Sequence, residues 1–345
     1  MSSIPTPALV VDADALDANL ARMAAACPGR RLRPHVKAHK CTSLAAAQAA
    51  VGHRTFTCAT PREVVGMAEA GLGDDLLLAN ETVDPVRLAA MAALDGSAMV
   101  TVAVDSEATI EAAARAGIRH VLVDVNIGLP RCGCDPRDAG RIADLARSRG
   151  LDVRGVMGYE GHLMGVPERD ERARQLVPCV DALLIAHALV GGPIISTGGT
   201  GTFDLHDERV NEIQAGSYVL MDTAYGKSGV PFRQALFVEA TVISVTTPRE
   251  GRGGWVVCDA GLKSLGMDHG NPTIEGATVW FCSDEHVVYS VDGEGAAPHV
   301  GDRVRLVPAH VDPTIAYHDR MHVVRGDPTR GSELLDVWPV DLRGW

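Results

Sequence analysis

The sequence predicts an α/β protein in which a (β/α)8 barrel precedes a β-rich domain. Short apolar runs alternate with alanine-rich helical segments, and after about residue 231 the pattern contains strands alone. The runs are nearly continuous in apolar residues, as in parallel strands that are buried on both faces. Aromatic residues make up only 4% of the 345 residues, so the core consists mainly of Ala, Val and Leu, which favours helices packed on a parallel sheet.

The elements are expected in the following order. Residues 6–12 form a short strand, and Asp14 caps a helix that continues to about Ala26. Barrel strands are expected at 32–36, 55–59, 75–79, 99–104, 120–125, 153–158, 193–197 and 217–221. Helices are expected at 42–51, 61–71, 84–94, 106–117, 136–149 and 170–190. Later strands are expected at 235–246, 254–259, 276–282, 285–291, 303–307 and 321–324. We therefore place the barrel in residues 1–231 and the β-rich domain in residues 232–345, with residues 1–12 able to add a strand to the latter.

Composition and charge exclude several classes of partner. The formal net charge of -12 argues against a nucleic-acid or anionic-membrane surface, which would need a basic excess. The sequence shows neither a signal-peptide pattern nor an apolar run of about 18 residues. Its eight cysteines have no framework spacing, so we expect them to stay reduced. These features predict a cytoplasmic protein, and they leave room for a local cationic pocket that binds a small anion.

The segment of residues 33–41 ends the first predicted barrel strand and is rich in basic residues. If it is extended, His35, Lys37 and His39 share one side, because side chains alternate along a strand. Cationic neighbours favour the neutral form of a lysine, which can attack a carbonyl group. The alternative is a basic surface turn, since most lysines are exposed.

Polar residues follow the other predicted barrel strands, and in such barrels the carboxyl ends of the strands carry the chemistry. Arg131 lies beyond the fifth strand, and Tyr159 and His162 follow the sixth. Two glycine-containing turns follow later strands and include Thr197, Gly198, Gly199, Thr200, Gly201, Gly216, Ser217 and Tyr218. Glycines let backbone N–H groups converge on an anion and hydroxyls add donors, so two adjacent turns fit one phosphate. The lysine of a P-loop is missing, and flexible loops are the alternative.

A pair of possible metal ligands lies in the second domain. His310 and Asp312 are two positions apart, so on an extended segment both point the same way. Imidazole and carboxylate together can bind a divalent cation and leave positions open for water or substrate. Residues 284–286, Asp-Glu-His, could lie around such an ion. A surface-exposed pair near a turn is the alternative.

The chain resembles the fold-type III pyridoxal-phosphate enzymes of the D-threonine aldolase and D-serine dehydratase family. The similar segments run in family order through nearly the whole chain: residues 6–12, 33–40, 125–133, 158–162, 196–202, 214–218, 259–261, 283–286 and 310–319. The resemblance implies a barrel and a β domain that pair as a homodimer. It implies that Lys37 holds pyridoxal phosphate as a Schiff base and that the two glycine turns hold its phosphate. It further implies that His35 is a wall of the pocket and that Arg131 and Tyr159 line the cofactor or the substrate carboxylate.

The metal site separates the branches of this family. The resemblance implies that His310 and Asp312 bind one divalent cation beside the β-hydroxyl of the substrate. Dehydratase-like members typically have a cysteine where this chain has Asp312, and an oxygen ligand favours Mn²⁺ or Mg²⁺ over Zn²⁺. The pattern therefore indicates the aldolase branch, although Ala316 replaces an asparagine that is frequent in the family.

The expected reaction is retro-aldol cleavage of a D-β-hydroxy-α-amino acid, similar to D-threonine, to glycine and an aldehyde. His162, or a metal-bound hydroxide, is the expected base. Two alternatives remain open at the level of the sequence. The first is a D-serine or D-hydroxyamino-acid dehydratase that yields a keto acid and ammonia, and the second is a pyridoxal-phosphate-binding protein without catalysis.

Overall fold

The computed structural model describes residues 4–247, 253–293, 298–326 and 332–345. These residues form two compact units. The β unit contains the described parts of Met1–Asn19, Val219–Lys227 and Pro231–Asp341. The barrel unit contains Leu20–Tyr218, Ser228–Val230 and Leu342–Trp345.

The described chain begins with strand β1 (Ala8–Asp12) and helix α1 (Ala13–Ala26). Seven parallel strands of the barrel unit then follow one another in sequence order within one sheet. They are β2 (Thr55–Cys58), β3 (Asp75–Leu78), β4 (Val100–Val104), β5 (His120–Asp124), β6 (Asp152–Met157), β7 (Ile194–Thr197) and β8 (Glu212–Ile213). The helices between them are α2 (Thr42–Ala50), α3 (Pro61–Glu69), α4 (Pro85–Ala92), α5 (Glu107–Ala116), α6 (Ala139–Ser148) and α7 (Arg169–Val190).

Local sequence explains where these elements begin. Helices α3, α4 and α5 start directly after Thr60, Asp84 and Ser106, and each of these side chains accepts backbone N–H groups of the first helical turn. The strands are rich in Val and Leu and almost completely buried, as expected when helices cover a parallel sheet.

The segment of residues 32–35 joins the two edges of the seven-stranded sheet. Leu32 forms a parallel bridge with Ile213 of β8, and His35 forms one with Thr57 of β2. The predicted barrel architecture is therefore confirmed, with this short segment in the place of the first strand. The eighth strand was predicted at 217–221 and is instead β8, because Ser217–Val219 form a 3₁₀ turn.

A layer of buried ion pairs fills the amino-terminal end of the barrel interior. Arg33 lies 2.8 Å from Glu212 and 3.2 Å from Asp75, and Arg154 lies 2.8 Å from Asp75. Burial alone would raise the pKa of Asp75, but hydrogen bonds and charge from the two arginines hold it well below its usual range. Two carboxylates thus balance the charge of Arg33, which therefore does not act as a cationic neighbour of Lys37.

The β unit contains a sheet in the order β11-β12-β10-β9-β1-β14-β15, with β13 paired to β9. Its later strands are β9 (Leu236–Thr246), β10 (Trp255–Cys258), β11 (Ala277–Cys282), β12 (Val287–Val291), β13 (Arg303–Leu306), β14 (Arg320–Arg325) and β15 (Glu333–Pro339). Two short helices belong to the same unit, α8 (Thr223–Gly226) and α9 (Val311–Ala316). Strand β1 lies between β9, to which it is antiparallel, and β14, to which it is parallel.

Helix α7 has 22 residues, and it is the one described helix that is long and apolar enough to cross a membrane by length and composition. The sequence was expected to contain no uninterrupted apolar run of about 18 residues, and Asp181 and His187 interrupt the apolar stretch of this helix. Leu176, Leu183 and Ala186 of α7 are buried within the barrel unit, and the core helix of a water-soluble protein passes the same test.

Candidate active site

Lys37 lies just beyond the carboxyl end of the segment that closes the barrel. Residues Val36–Ala38 form a 3₁₀ turn, and the Nδ1 atom of His35 accepts a hydrogen bond from the N–H of Lys37 at 3.5 Å. The side-chain ammonium of Lys40 forms an ion pair with the buried carboxylate of Glu63. Lys40 thus has a structural role, and Lys37, the other lysine of this segment, is half-buried.

The expected alternation of His35, Lys37 and His39 does not occur, because the chain turns at Val36. His39 is fully buried, with Nε2 3.3 Å from Gln48 Oε1, and its Nδ1 accepts the N–H of Cys41. Gln48 also donates to the hydroxyl of Tyr218 at 3.0 Å. Burial raises the pKa of the Tyr218 hydroxyl, which stays protonated within this network. Ser217 therefore supplies the hydroxyl of the second turn that remains available to an anion.

The two glycine turns lie side by side. The N–H of Tyr218 donates to Thr200 Oγ1 at 2.9 Å and so joins them. Within the described residues, the backbone N–H groups of Thr200, Gly201 and Ser217 donate to no protein acceptor. A Cβ atom placed at Gly216 would lie 2.5 Å from the carbonyl oxygen of His35, so only glycine allows this close approach. Such a set of unpaired N–H groups and hydroxyls fits the phosphate of pyridoxal phosphate.

The first glycine turn is held by a buried carboxylate, Glu160, which was not predicted as a site residue. Its oxygens accept hydrogen bonds from Thr197 Oγ1 at 2.6 Å, the N–H of Gly198 at 3.2 Å, Thr202 Oγ1 at 2.7 Å and His206 Nε2 at 2.9 Å. Burial alone would raise the pKa of Glu160, but the hydrogen bonds and the charge of His206 lower it to about 2. The ionised carboxylate therefore organises the backbone on which the unpaired N–H groups lie.

Arg131 and Tyr159 lie together at the same rim. The guanidinium carbon of Arg131 is 5.5 Å from the centre of the Tyr159 ring, and a Cβ atom at Gly199 would lie 3.3 Å from that ring. The Tyr159 ring thus contacts both the cationic side chain and the first glycine turn. Nearby, burial and the neighbouring carboxyl group of Glu81 raise the pKa of Asp124.

The ring of His162 contacts Gly128 and helix α7. A Cβ atom at Gly128 would lie 2.8 Å from the His162 ring, and Nε2 of His162 is 3.9 Å from Cys179 Sγ on α7. The contacts that the structure shows for this ring are therefore with a loop and an outer helix. Its role as general base stays a prediction.

A second polar cluster lies in the β unit and contains His310 and Asp312. Nε2 of His310 is 3.5 Å from Asp312 Oδ2, while Nδ1 of the same ring is 2.6 Å from Asp268 Oδ2. The ring of His269 stacks on His310 with a centroid distance of 4.1 Å. A nitrogen and a carboxylate oxygen 3.5 Å apart fit two ligands that are each about 2.1 Å from one divalent cation.

The sequence contained a weak signal for Asp268 and His269, a carboxylate and an imidazole in a turn-rich stretch between two strands. It did not show that this stretch lies beside His310. Residues 284–286 pack on residues 261–263, where Lys263 forms an ion pair with Glu285, and their place around an ion stays a prediction.

Comparison with known proteins agrees with the description of the barrel unit and with that of the β unit. The N-terminal domain of alanine racemase matches residues 11–224, and the putative serine dehydratase domain matches residues 235–324. A D-threonine aldolase from Arthrobacter sp. is 35% identical, and the alignment covers 100% of this chain and 94% of that protein. A 3-hydroxy-D-aspartate aldolase from Paracoccus denitrificans strain Pd 1222 is 32% identical, with 99% and 93% covered. The crystal structure of D-threonine aldolase from Filomicrobium marinum has a TM-score of 0.91 at 35% identity, with 99% and 96% covered.

These matches define the class of protein, an alanine-racemase-type barrel followed by a serine-dehydratase-type β domain. This is the architecture of fold-type III pyridoxal-phosphate enzymes, and the resemblance noted in the sequence is confirmed. The chain belongs to the D-threonine aldolase and D-serine dehydratase family of that class, and it is a lyase.

Proposed function

We propose that the chain is a pyridoxal-phosphate- and divalent-metal-dependent aldolase that cleaves D-β-hydroxy-α-amino acids to glycine and an aldehyde. The observation that carries the proposal is the pair His310 and Asp312, 3.5 Å apart, in a chain whose barrel presents Lys37 beside an anion-holding pair of turns. Relatives named for D-threonine and 3-hydroxy-D-aspartate support D-β-hydroxy amino acids as the substrate class.

Different residues of the barrel would hold different groups of the cofactor. Lys37 would bind it covalently, and the turns joined by Thr200 and Tyr218 would hold its phosphate. Bound pyridoxal phosphate supplies an electron sink for the charge that is left on Cα when the Cα–Cβ bond breaks. Glu160 keeps the first turn in its shape, and Arg131 is held over Tyr159, where it can bind an anionic group of the cofactor or substrate.

The donor set of the β unit fits a hard divalent cation. A nitrogen and an oxygen would bind the ion and leave positions open for the substrate hydroxyl, whose pKa a bound cation lowers. The carboxylate of Asp312, in place of a thiolate, favours Mn²⁺ or Mg²⁺. His162 as the base and a homodimeric state are proposed on the resemblance alone. A cytoplasmic location is proposed on the sequence pattern and the scattered cysteines.

The test is to incubate the purified protein with D-threonine, with and without a chelator, and to identify the products. Acetaldehyde and glycine that are lost on chelation are the expected result. 2-Oxobutanoate and ammonia would replace the aldolase with the dehydratase alternative. A parallel reaction with 3-hydroxy-D-aspartate compares the two side chains for which relatives are named, and the same reaction with His162→Ala tests the base.

A further inference from the structure

The imidazole of His310 lies between two carboxylates, one at each ring nitrogen. We propose that Asp268 is a positioning residue that holds His310 in the orientation and tautomer that cation binding requires. The inference rests on the proposed metal site at His310 and Asp312 and adds a residue from a separate segment of the chain. Asp268 does not itself bind the ion.

The two distances distinguish a hydrogen bond from a pair of ligands. Nδ1 of His310 is 2.6 Å from Asp268 Oδ2, which is the length of a strong charge-assisted hydrogen bond. Two ligand atoms that are each about 2.1 Å from one cation lie roughly 3 Å apart or more at right angles or wider. The 3.5 Å between Nε2 and Asp312 Oδ2 meets this condition, whereas the distance to Asp268 does not.

The hydrogen bond also determines which nitrogen can bind a cation. A neutral imidazole carries one N–H, and donation to Asp268 places it on Nδ1. The lone pair of Nε2 then faces Asp312, where the ion would lie. A carboxylate that accepts the second N–H of a ligand histidine also makes the ligand more basic, and its removal typically weakens metal binding by 10–100-fold.

The chain brings Asp268 to this place through a close approach at Gly266. The N–H of Gly266 donates to Thr314 Oγ1 of α9 at 2.9 Å, and a Cβ atom at Gly266 would lie 2.4 Å from Pro313 Cγ. On the preceding side, the carbonyl of Ser264 accepts a hydrogen bond from His318 Nε2 at 2.9 Å. These contacts fix the segment that ends in Asp268 against the helix that begins directly after His310.

His269 belongs to an alternative set of possible metal ligands. One ligand atom each from Asp268, His269 and His310 lies within 4.8 Å of the others, so an ion could instead bind these three residues. That arrangement would require Nδ1 of His310 to lose its hydrogen bond to Asp268. The stacking of the two imidazole rings, tilted by only 7°, gives His269 a packing role instead.

The experiment is calorimetric titration of the full-length, cofactor-loaded protein with Mn²⁺. We expect Asp268→Ala to weaken binding by about 10–100-fold and Asp268→Asn by less, because the amide oxygen still accepts the N–H of His310. Asp312→Ala is expected to weaken binding more than Asp268→Ala. His269→Phe keeps a stacked ring without a ligand atom, and the control Glu275→Ala removes an exposed carboxylate of the same stretch. Both are expected to stay within about twofold of the wild type.

Thermal unfolding of each metal-free variant separates a metal effect from a loss of structure, since Asp268 is exposed and its variants should unfold at the wild-type temperature. Affinity of Asp268→Ala within twofold of the wild type overturns the inference and leaves the proposed metal site intact. The inference is also overturned if Asp312→Ala still binds Mn²⁺ strongly while Asp268→Ala and His269→Phe no longer bind it. A wild-type protein that binds no Mn²⁺ overturns both the inference and the metal part of the proposed function.

Discussion

Replacement of Glu160 by glutamine tests whether a buried carboxylate organises the first glycine turn. The side chain keeps its shape, but one oxygen becomes an NH₂ donor. Each carboxylate oxygen of Glu160 accepts from two donors, one pair being Thr197 and Gly198 and the other Thr202 and His206. In either orientation of the amide, the NH₂ group faces donors. At least one buried donor therefore loses its acceptor or must turn away.

The size of the effect follows from the pKa. A fall from 4.5 to about 2 corresponds to about 3 kcal/mol of preference for the ionised form in the folded protein, at about 1.4 kcal/mol per pKa unit. A buried donor without a partner costs about 1–3 kcal/mol, so both routes give a similar figure. We expect Glu160→Gln to lower the free energy of unfolding by about 3 kcal/mol and to weaken retention of the cofactor.

The assay is urea unfolding of the variant followed by circular dichroism, together with the visible absorbance of bound cofactor after dialysis. Glu208→Gln is the matched control, because Glu208 is exposed in the same stretch of chain. A loss of less than about 1 kcal/mol in Glu160→Gln would refute the reasoning, since it would mean that the four donors find other partners at little cost.

Three further predictions follow from the same structure. Acidification should destabilise the protein through Glu160, because a carboxyl whose pKa is lowered in the folded state contributes stability above its unfolded pKa of 4.5. That contribution is lost as the pH falls toward 2. Urea midpoints measured across this pH range would show the loss, and Glu160→Gln should make the midpoint depend less on pH. We expect only Lys37→Ala to lose the borohydride-reducible cofactor among single alanine variants of the four lysines, Lys37, Lys40, Lys227 and Lys263. Retention of the cofactor by Lys37→Ala would disprove the Schiff-base assignment. Gly216→Ala should cost about 1–3 kcal/mol of unfolding free energy, because its Cβ would lie 2.5 Å from the His35 carbonyl oxygen, and an unchanged urea midpoint would contradict this.

The sequence predicted the architecture well because apolar periodicity reports burial directly. The order of strands β2 to β7 and the predominance of strands after residue 231 agree with the structure, but helix α9 (Val311–Ala316) was not predicted. The eighth barrel strand was misplaced because residues 217–221 are as apolar as a strand but follow Gly216 into a 3₁₀ turn. Apolar content alone does not distinguish these conformations.

The site was predicted only where short motifs carry their own chemistry, as at Lys37, the glycine turns and His310. Contacts between distant segments were not visible in the sequence. Glu160 and His206 are 46 positions apart, and His310 and Asp268 are 42 positions apart. Tyr218 was expected to face an anion, but its hydroxyl is bonded to Gln48, a residue that has no motif of its own.

The position of β1 limits how the protein can be made or divided. Val10 of β1 pairs with Phe237 of β9 and with His322 of β14, so this interior strand is synthesised first and must wait for partners that lie more than 200 residues later in the chain. A fragment that starts after residue 231 would expose the edges of both β9 and β14, and exposed edges pair readily with other chains. A cut after residue 231 therefore does not divide the chain into two segments that fold independently. An added peptide with the sequence of β1 could complete such a fragment, by the same strand addition that proteins use to recognise extended peptides.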